Sequence, residues 1–260
     1  MTVLVTDAIV LHVADYLESS RILRLATRDA GVVSVVARGA RNSRKRFGSA
    51  LDLFAEGQAQ LQYKPGKDLQ SLHGFEVTRS RPEIAADLER FYAASAVSEV
   101  VLRLVHDEAA PSLFGNLSAG FARLSAAPAG TIGAAALATL WQLVADVGYR
   151  PTLDSCAACH AEVPEDEPAR FNAFAGGVLC ANCQRRHPGG RTLPPEARRR
   201  IARWLDGGES ASEPAQEQTQ VQLDDASLRA HQRLAREFLT HQIADNRPLK
   251  AYVTWESTHW

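Results

Sequence analysis

Ile22-Leu23-Arg24-Leu25-Ala26-Thr27-Arg28-Asp29-Ala30-Gly31-Val32-Val33-Ser34-Val35-Val36-Ala37 is two aliphatic, β-branched runs joined by four residues of turn chemistry. Gly31 can take the positive φ that closes such a turn. The pattern recurs at Val3–Leu11, Gln58–Tyr63 and Leu69–Val77, with Pro65-Gly66 as a second turn signal. Five short strands within residues 1–80, with no helical stretch to cover a parallel sheet, predict a small closed barrel.

The period changes at Arg81-Pro82. Leu88, Phe91, Tyr92, Ser95, Val100 or Val101, Leu104 and Val105 share one helical stripe. Thr131–Val147 is apolar on most of its circumference and reads as a central helix closed by Gly148. Pro194-Pro195 opens another helix, with Ile201, Trp204 and Leu205 inward and arginines outward. Leu228–Ile243 is a last amphipathic helix. Residues 207–225 are acidic and rich in Gln, Ser and Glu, and read as a disordered or solvated insertion. These readings divide the chain into a barrel (1–80), a helical domain (81–150 and 191–260) and a cysteine module (151–190) embedded in it. The fold class is α+β and multidomain.

The chain has four cysteines, in two pairs, Cys156-Ala157-Ala158-Cys159 and Cys180-Ala181-Asn182-Cys183, with twenty residues between them. Each C-x-x-C brings two thiolates together, and two such knuckles complete a tetrahedral sulfur site. Paired redox knuckles and two disulfides are the competing readings. No thioredoxin-like strand-to-helix turn surrounds either pair, and Met1–Val5 does not open a signal peptide that would imply an oxidising compartment. The spacing therefore favours one zinc ion per chain, bound by Cys156, Cys159, Cys180 and Cys183. Four thiolates leave no open position, so this zinc is structural. His160 and His187 lie close enough to replace a thiolate but are expected outside the ligand set.

Net charge is −1 with neutral histidine, so contact with nucleic acid has to come from local patches. Arg38, Arg41, Arg44, Lys45 and Arg46 follow a predicted strand with no acid among them, and guanidinium groups pair bidentately with phosphate. A loop of this kind on a small barrel is where a single strand would cross. Arg198, Arg199 and Arg200 extend that surface or form an ordinary wet helix face. Phe47 and Phe54 are candidates for base stacking and equally for barrel core. His106-Asp107-Glu108 lacks motif context. There is no H-E-x-x-H, Walker loop, G-x-S-x-G or ordered serine, histidine and acid, so no enzyme is expected. No apolar run is long enough to span a bilayer, and the expected location is cytoplasmic.

Asp7-Ala8-Ile9-Val10-Leu11, Tyr16-x-Glu18-Ser19-Ser20 and Leu25-x-Thr27 through Gly31 resemble the opening hairpin of the bacterial recombination mediator RecO family. Ala37-Arg38-Gly39-Ala40-Arg41, Arg46-Phe47-Gly48 and Leu53-Phe54 resemble its barrel motif. Gly148-Tyr149-x-Pro151-x-Leu153 leading into Cys156, and Gly176-Gly177-x-Leu179 leading into Cys180, resemble its zinc segment. Arg247-Pro248-Leu249-Lys250 resembles its C-terminal signature. Lys45 stands where the family often has serine. The resemblance implies an OB-fold, a helical domain, an embedded zinc module and a mediator without a reaction of its own. It further implies binding of single- and double-stranded DNA and annealing of strands coated with single-strand-binding protein. Partners would be RecR, single-strand-binding protein, RecA and RecF, with location at the nucleoid. A zinc-containing interaction scaffold with incidental DNA contact is the alternative.

Overall fold

The structure is a computed structural model that describes residues 2–40, 47, 51–105, 111–207, 222–243 and 247–258. Among the described residues of the first 80 there are five strands, β1 (Thr2–Tyr16), β2 (Ser20–Thr27), β3 (Gly31–Ala37), β4 (Glu56–Tyr63) and β5 (Leu69–Arg79). They close in the order β1-β2-β3-β5-β4, antiparallel throughout except for the parallel pair β3 and β5. This is the OB-fold topology. β1 closes the barrel by serving two neighbours. Thr2–Ile9 pairs with β4 and Ala8–Tyr16 with β2, with a bulge between Val10 and His12 that bends the strand from one partner to the other. Gly31 has φ +62 in the expected β2–β3 turn, where Thr27 Oγ1 donates to its carbonyl. Val10, Leu23, Leu25, Val33, Val35, Leu61, Leu72 and Phe75 fill the interior.

Contact density divides the chain into two compact units, Met1–Ala126 and Ala127–Trp260. The first contains the barrel with α1 (Pro82–Ala86), α2 (Leu88–Leu104) and α3 (Pro111–Ala126). α2 buries Val100, Val101 and Val105 as its expected stripe requires, while Phe91, Tyr92, Ser95 and Leu104 are only half-buried. Leu88 is exposed, and the buried face is Ala93, Ala94, Ala96, Val97, Ser98, Val100 and Val101. Small side chains bring this helix close to its neighbours, which a reading weighted toward large apolar residues does not register. Phe54 lies in the packing between barrel and helices, its ring 5.8 Å from Phe91 and 5.4 Å from Phe121. Arg81 is buried beside it, donating to the Phe54 carbonyl at 2.6 Å and pairing with Glu56, whose carboxylate also accepts from Ser118 Oγ. Burial alone would raise the Glu56 pKa. The Ser118 hydroxyl and the Arg81 and Arg79 guanidiniums outweigh it and hold the carboxyl below its usual range.

The second unit is built around α4 (Ile132–Asp146), buried on nearly every side as its composition predicts. After it come β6 (Ala169–Asn172), β7 (Gly177–Leu179), α5 (Ala181–Gln184), β8 (Arg191–Leu193), α6 (Pro195–Leu205), α7 (Asp225–Gln242) and α8 (Lys250–Ser257). β7-β6-β8 is a three-stranded sheet. Trp141 of α4 lies 5.4 Å from Phe238 of α7, which is 5.9 Å from Phe171 of β6, so one aromatic cluster joins helices and sheet. α8 explains part of the C-terminal tail. Tyr252 and Trp255 are fully buried, and the Tyr252 hydroxyl donates to the Gln232 carbonyl at 2.9 Å.

Candidate metal centre and nucleic-acid surface

The two knuckles converge because their backbones are tied to one another. Cys156 N–H donates to the Ala161 carbonyl, His160 N–H to the Cys156 carbonyl, and Ala157 N–H to the Val178 carbonyl of β7. The second knuckle starts α5, where Gln184 N–H donates to the Cys180 carbonyl at 3.0 Å. Thr152 bridges to Gly177 so closely that a Cβ there would lie 2.2 Å from the Thr152 carbonyl oxygen. Only glycine permits that approach, and it brings both knuckles to one point.

The four sulfurs lie within 4.8 Å of one another, and Cys159 and Cys180 Sγ are 3.7 Å apart. A tetrahedral ion with metal–sulfur bonds of about 2.3 Å has sulfur–sulfur edges of about 3.8 Å. A disulfide needs about 2 Å, and all four cysteines are free. The residues therefore fit a tetrahedral thiolate-bound metal and are compatible with zinc. Cys156 and Cys183 are buried, Cys180 is half-buried and Cys159 is exposed. Desolvation opposes ionisation of Cys156, but backbone N–H groups of Cys180, Ala158 and Cys159 bring its thiol down to about 6. The Cys159 thiol beside it, together with burial, pushes Cys183 up to about 12. Crowded thiols resist holding several negative charges, and a dication supplies the charge that lets all four ionise together. His160 and His187 do not join the cluster.

Arg198 corrects the expectation for the second basic patch. It is 3% exposed and saturated by carbonyls of the first knuckle's flanks, donating to Leu153, to Val163 at 2.9 Å and to Pro164 at 2.7 Å. It clamps the chain before Cys156 to the chain after Cys159 and offers no charge to a ligand. The polar carbonyls across from α6 draw an arginine inward, and helical periodicity alone carries no sign of them. Arg199 is exposed and pairs with Asp166 at 3.3 Å. Arg200 lines a cavity of about 430 Å³ with Arg191, Arg233, His231, Leu193 and Leu234. In the barrel, Arg38 is exposed directly after β3. Arg41, Arg44, Lys45 and Arg46 lie outside the described residues, as do His106, Asp107 and Glu108. Phe47 and Phe54 are 2% and 1% exposed and belong to the core, which removes them as stacking platforms. Among the described residues, no helix is long and apolar enough to cross a membrane.

A five-stranded OB barrel joined in one chain to helices and a four-cysteine cluster that fits a metal ion is the class of protein that the fold and the cluster define. Residues 1–81 match the model for the recombination protein O N-terminal domain and residues 85–251 that for its C-terminal domain. The chain belongs to the RecO family. It is 40% identical over 218 residues to DNA repair protein RecO of Anaeromyxobacter sp. (strain K), covering 79% of this chain and 81% of that protein. Its identity to the protein of the same name from Geobacter metallireducens is 38% over 205 residues, covering 78% and 80%. The Nocardioides sp. protein of that name is 32% identical over 211 residues, covering 80% and 85%. The family is one of DNA repair mediators and not of catalysts.

Proposed function

We propose that this chain is a recombination mediator that binds single- and double-stranded DNA and anneals complementary strands coated with single-strand-binding protein. With RecR it assists RecA loading at gaps and breaks, in the cytoplasm at the nucleoid. The observation that supports this most is the OB barrel with Arg38 exposed at the end of β3, where a basic run begins. A barrel rim of that charge binds strands by releasing their counterions, and leaves the bases free to pair. Residues 1–80 carry the DNA, 81–150 and 191–260 form the helical domain, and 151–190 hold one zinc ion on Cys156, Cys159, Cys180 and Cys183. Bound there, zinc supplies a tetrahedral cross-link between the two knuckles and no reaction chemistry.

The cavity beside Arg200 favours a second reading, a protein-interaction scaffold, because it combines guanidiniums with apolar side chains. One titration separates the two. Fluorescence anisotropy of a labelled single strand across a salt series should show affinity falling steeply with salt. Arg38→Ala should reduce the slope of log affinity against log salt by about 1, with an unchanged melting temperature. Weak binding that is indifferent to salt would replace the mediator reading with the scaffold.

A further inference from the structure

The turn between β1 and β2 leaves two adjacent large side chains in solvent, Tyr16 at 41% and Leu17 at 74% exposure. Leu17 holds φ +54, a left-handed conformation that a leucine rarely enters. The last pair of the hairpin is Tyr16 with Ser20, so three residues, Leu17 among them, reverse the chain. The turn places its large side chains outward, in solvent. Among the described residues, the Tyr16 ring and hydroxyl meet no hydrogen-bond, ion or ring partner.

Strand register shows what lies beside it. Val13, Leu23 and Val35 form one cross-strand row directed into the core. Three residues further along β1 and β2 lies their terminal pair, Tyr16 with Ser20, and Arg38 is the first residue beyond β3, whose Ala37 pairs with Arg21. The exposed Tyr16 ring and the exposed Arg38 guanidinium thus sit at the same end of the β1-β2-β3 meander, on either side of the buried Ser20. Tyr16 and Arg38 are two strand spacings apart, about 10 Å. Of the two acids nearby, Asp15 is paired with Arg21 at 3.4 Å, which leaves Glu18 exposed in the turn.

We infer that the β1–β2 turn is a base-stacking platform. The Tyr16 ring, flanked by Leu17, receives an unpaired base of the strand whose phosphate Arg38 holds. Stacking on an aromatic accepts any base and adds affinity without adding charge, as a mediator acting on arbitrary sequence requires. The turn joining the first two strands is also an edge at which OB barrels meet oligonucleotides. This platform rests on the DNA-binding reading above and names the residues through which the barrel touches bases.

The test uses the full chain and a single strand carrying 2-aminopurine, whose emission is quenched by stacking. Wild type should quench it. Tyr16→Ala, and Tyr16→Leu with bulk but no aromatic face, should lose the quench and bind roughly five- to hundredfold more weakly, with unchanged salt slope. Tyr16→Trp should keep both quench and affinity, and Glu18→Gln should bind more tightly. Arg38→Ala should do the converse, lowering the salt slope while its remaining complex still quenches. Unchanged quench and affinity in Tyr16→Leu, with Arg38→Ala still weakened, would overturn the platform and leave the DNA-binding reading standing. Loss of a partner protein's binding with strand affinity intact would also overturn it, and make the turn a protein-docking element. Failure of the wild-type chain to bind the strand would remove both.

Discussion

His231 shows how one buried residue couples this fold to pH. It is 5% exposed, its ring packs edge-on against Trp204 at 5.2 Å, and burial followed by the Arg200 charge lowers its pKa from 6.5 to about 4. Above pH 6.5 it is neutral in both folded and unfolded chains. Between pH 6.5 and about 4 the unfolded chain takes up a proton that the folded chain refuses, so stability falls with pH across that window. A shift of this size corresponds to about 3 kcal/mol once pH is below the folded value. His231→Phe keeps a ring against Trp204 and removes the titration. Denaturant unfolding of the two proteins at pH 7 and pH 4 should show the wild type losing about 3 kcal/mol more than the variant. Equal losses would mean that His231 titrates normally in the fold.

The cysteine module depends on an element that is not part of it. α6 sends Arg198 into the carbonyls of Leu153, Val163 and Pro164, so the first knuckle is shaped by a guanidinium as well as by its own hydrogen bonds. Arg198→Ala leaves the buried Leu153 and Val163 carbonyls without their donor, a cost of about 3 kcal/mol. It should lower the melting temperature and speed loss of metal to a chelator, with single-strand affinity unchanged. Arg199→Ala, on the exposed side of the same helix, should do neither. Loss of DNA affinity in Arg198→Ala at full metal content and unchanged melting would return Arg198 to the DNA surface. The same helix marks how far sequence reaches. Ile201, Trp204 and Leu205 were legible as its apolar stripe, because periodicity records which residues face a core. Arg198 was not, because a buried guanidinium is set by acceptors on a distant segment. The cysteines were legible because metal geometry imposes a spacing, and the barrel strands because alternation and turn residues are local. α3 and α8 are absent from those expectations although Leu113, Phe114, Leu117, Phe121, Tyr252 and Trp255 are buried in them. Pro111, Gly115 and Gly120 interrupt the apolar pattern of the first, and the second is only 8 residues long. The exposure of Tyr16 and Leu17 and their place near Arg38 were not legible, because both come from how β1, β2 and β3 pair.

At the scale of the whole molecule, the chain carries an OB barrel and a unit whose four cysteines fit a metal ion, with a formal charge of only −1. Near-neutrality makes the interaction with DNA local, so it should respond to single changes on the rim and to ionic strength. Annealing asks more than binding. Two strands must be held with their phosphate repulsion screened, their coat protein displaced or accommodated, and their bases free to pair. The direct measurement is the rate at which two complementary strands, each precoated with single-strand-binding protein, become duplex with and without this chain across a salt series. The wild-type chain should accelerate this, with an effect that fades as salt rises and is weakened in Arg38→Ala. A folded, metal-loaded chain that leaves the annealing rate of coated strands unchanged at every salt concentration would contradict it.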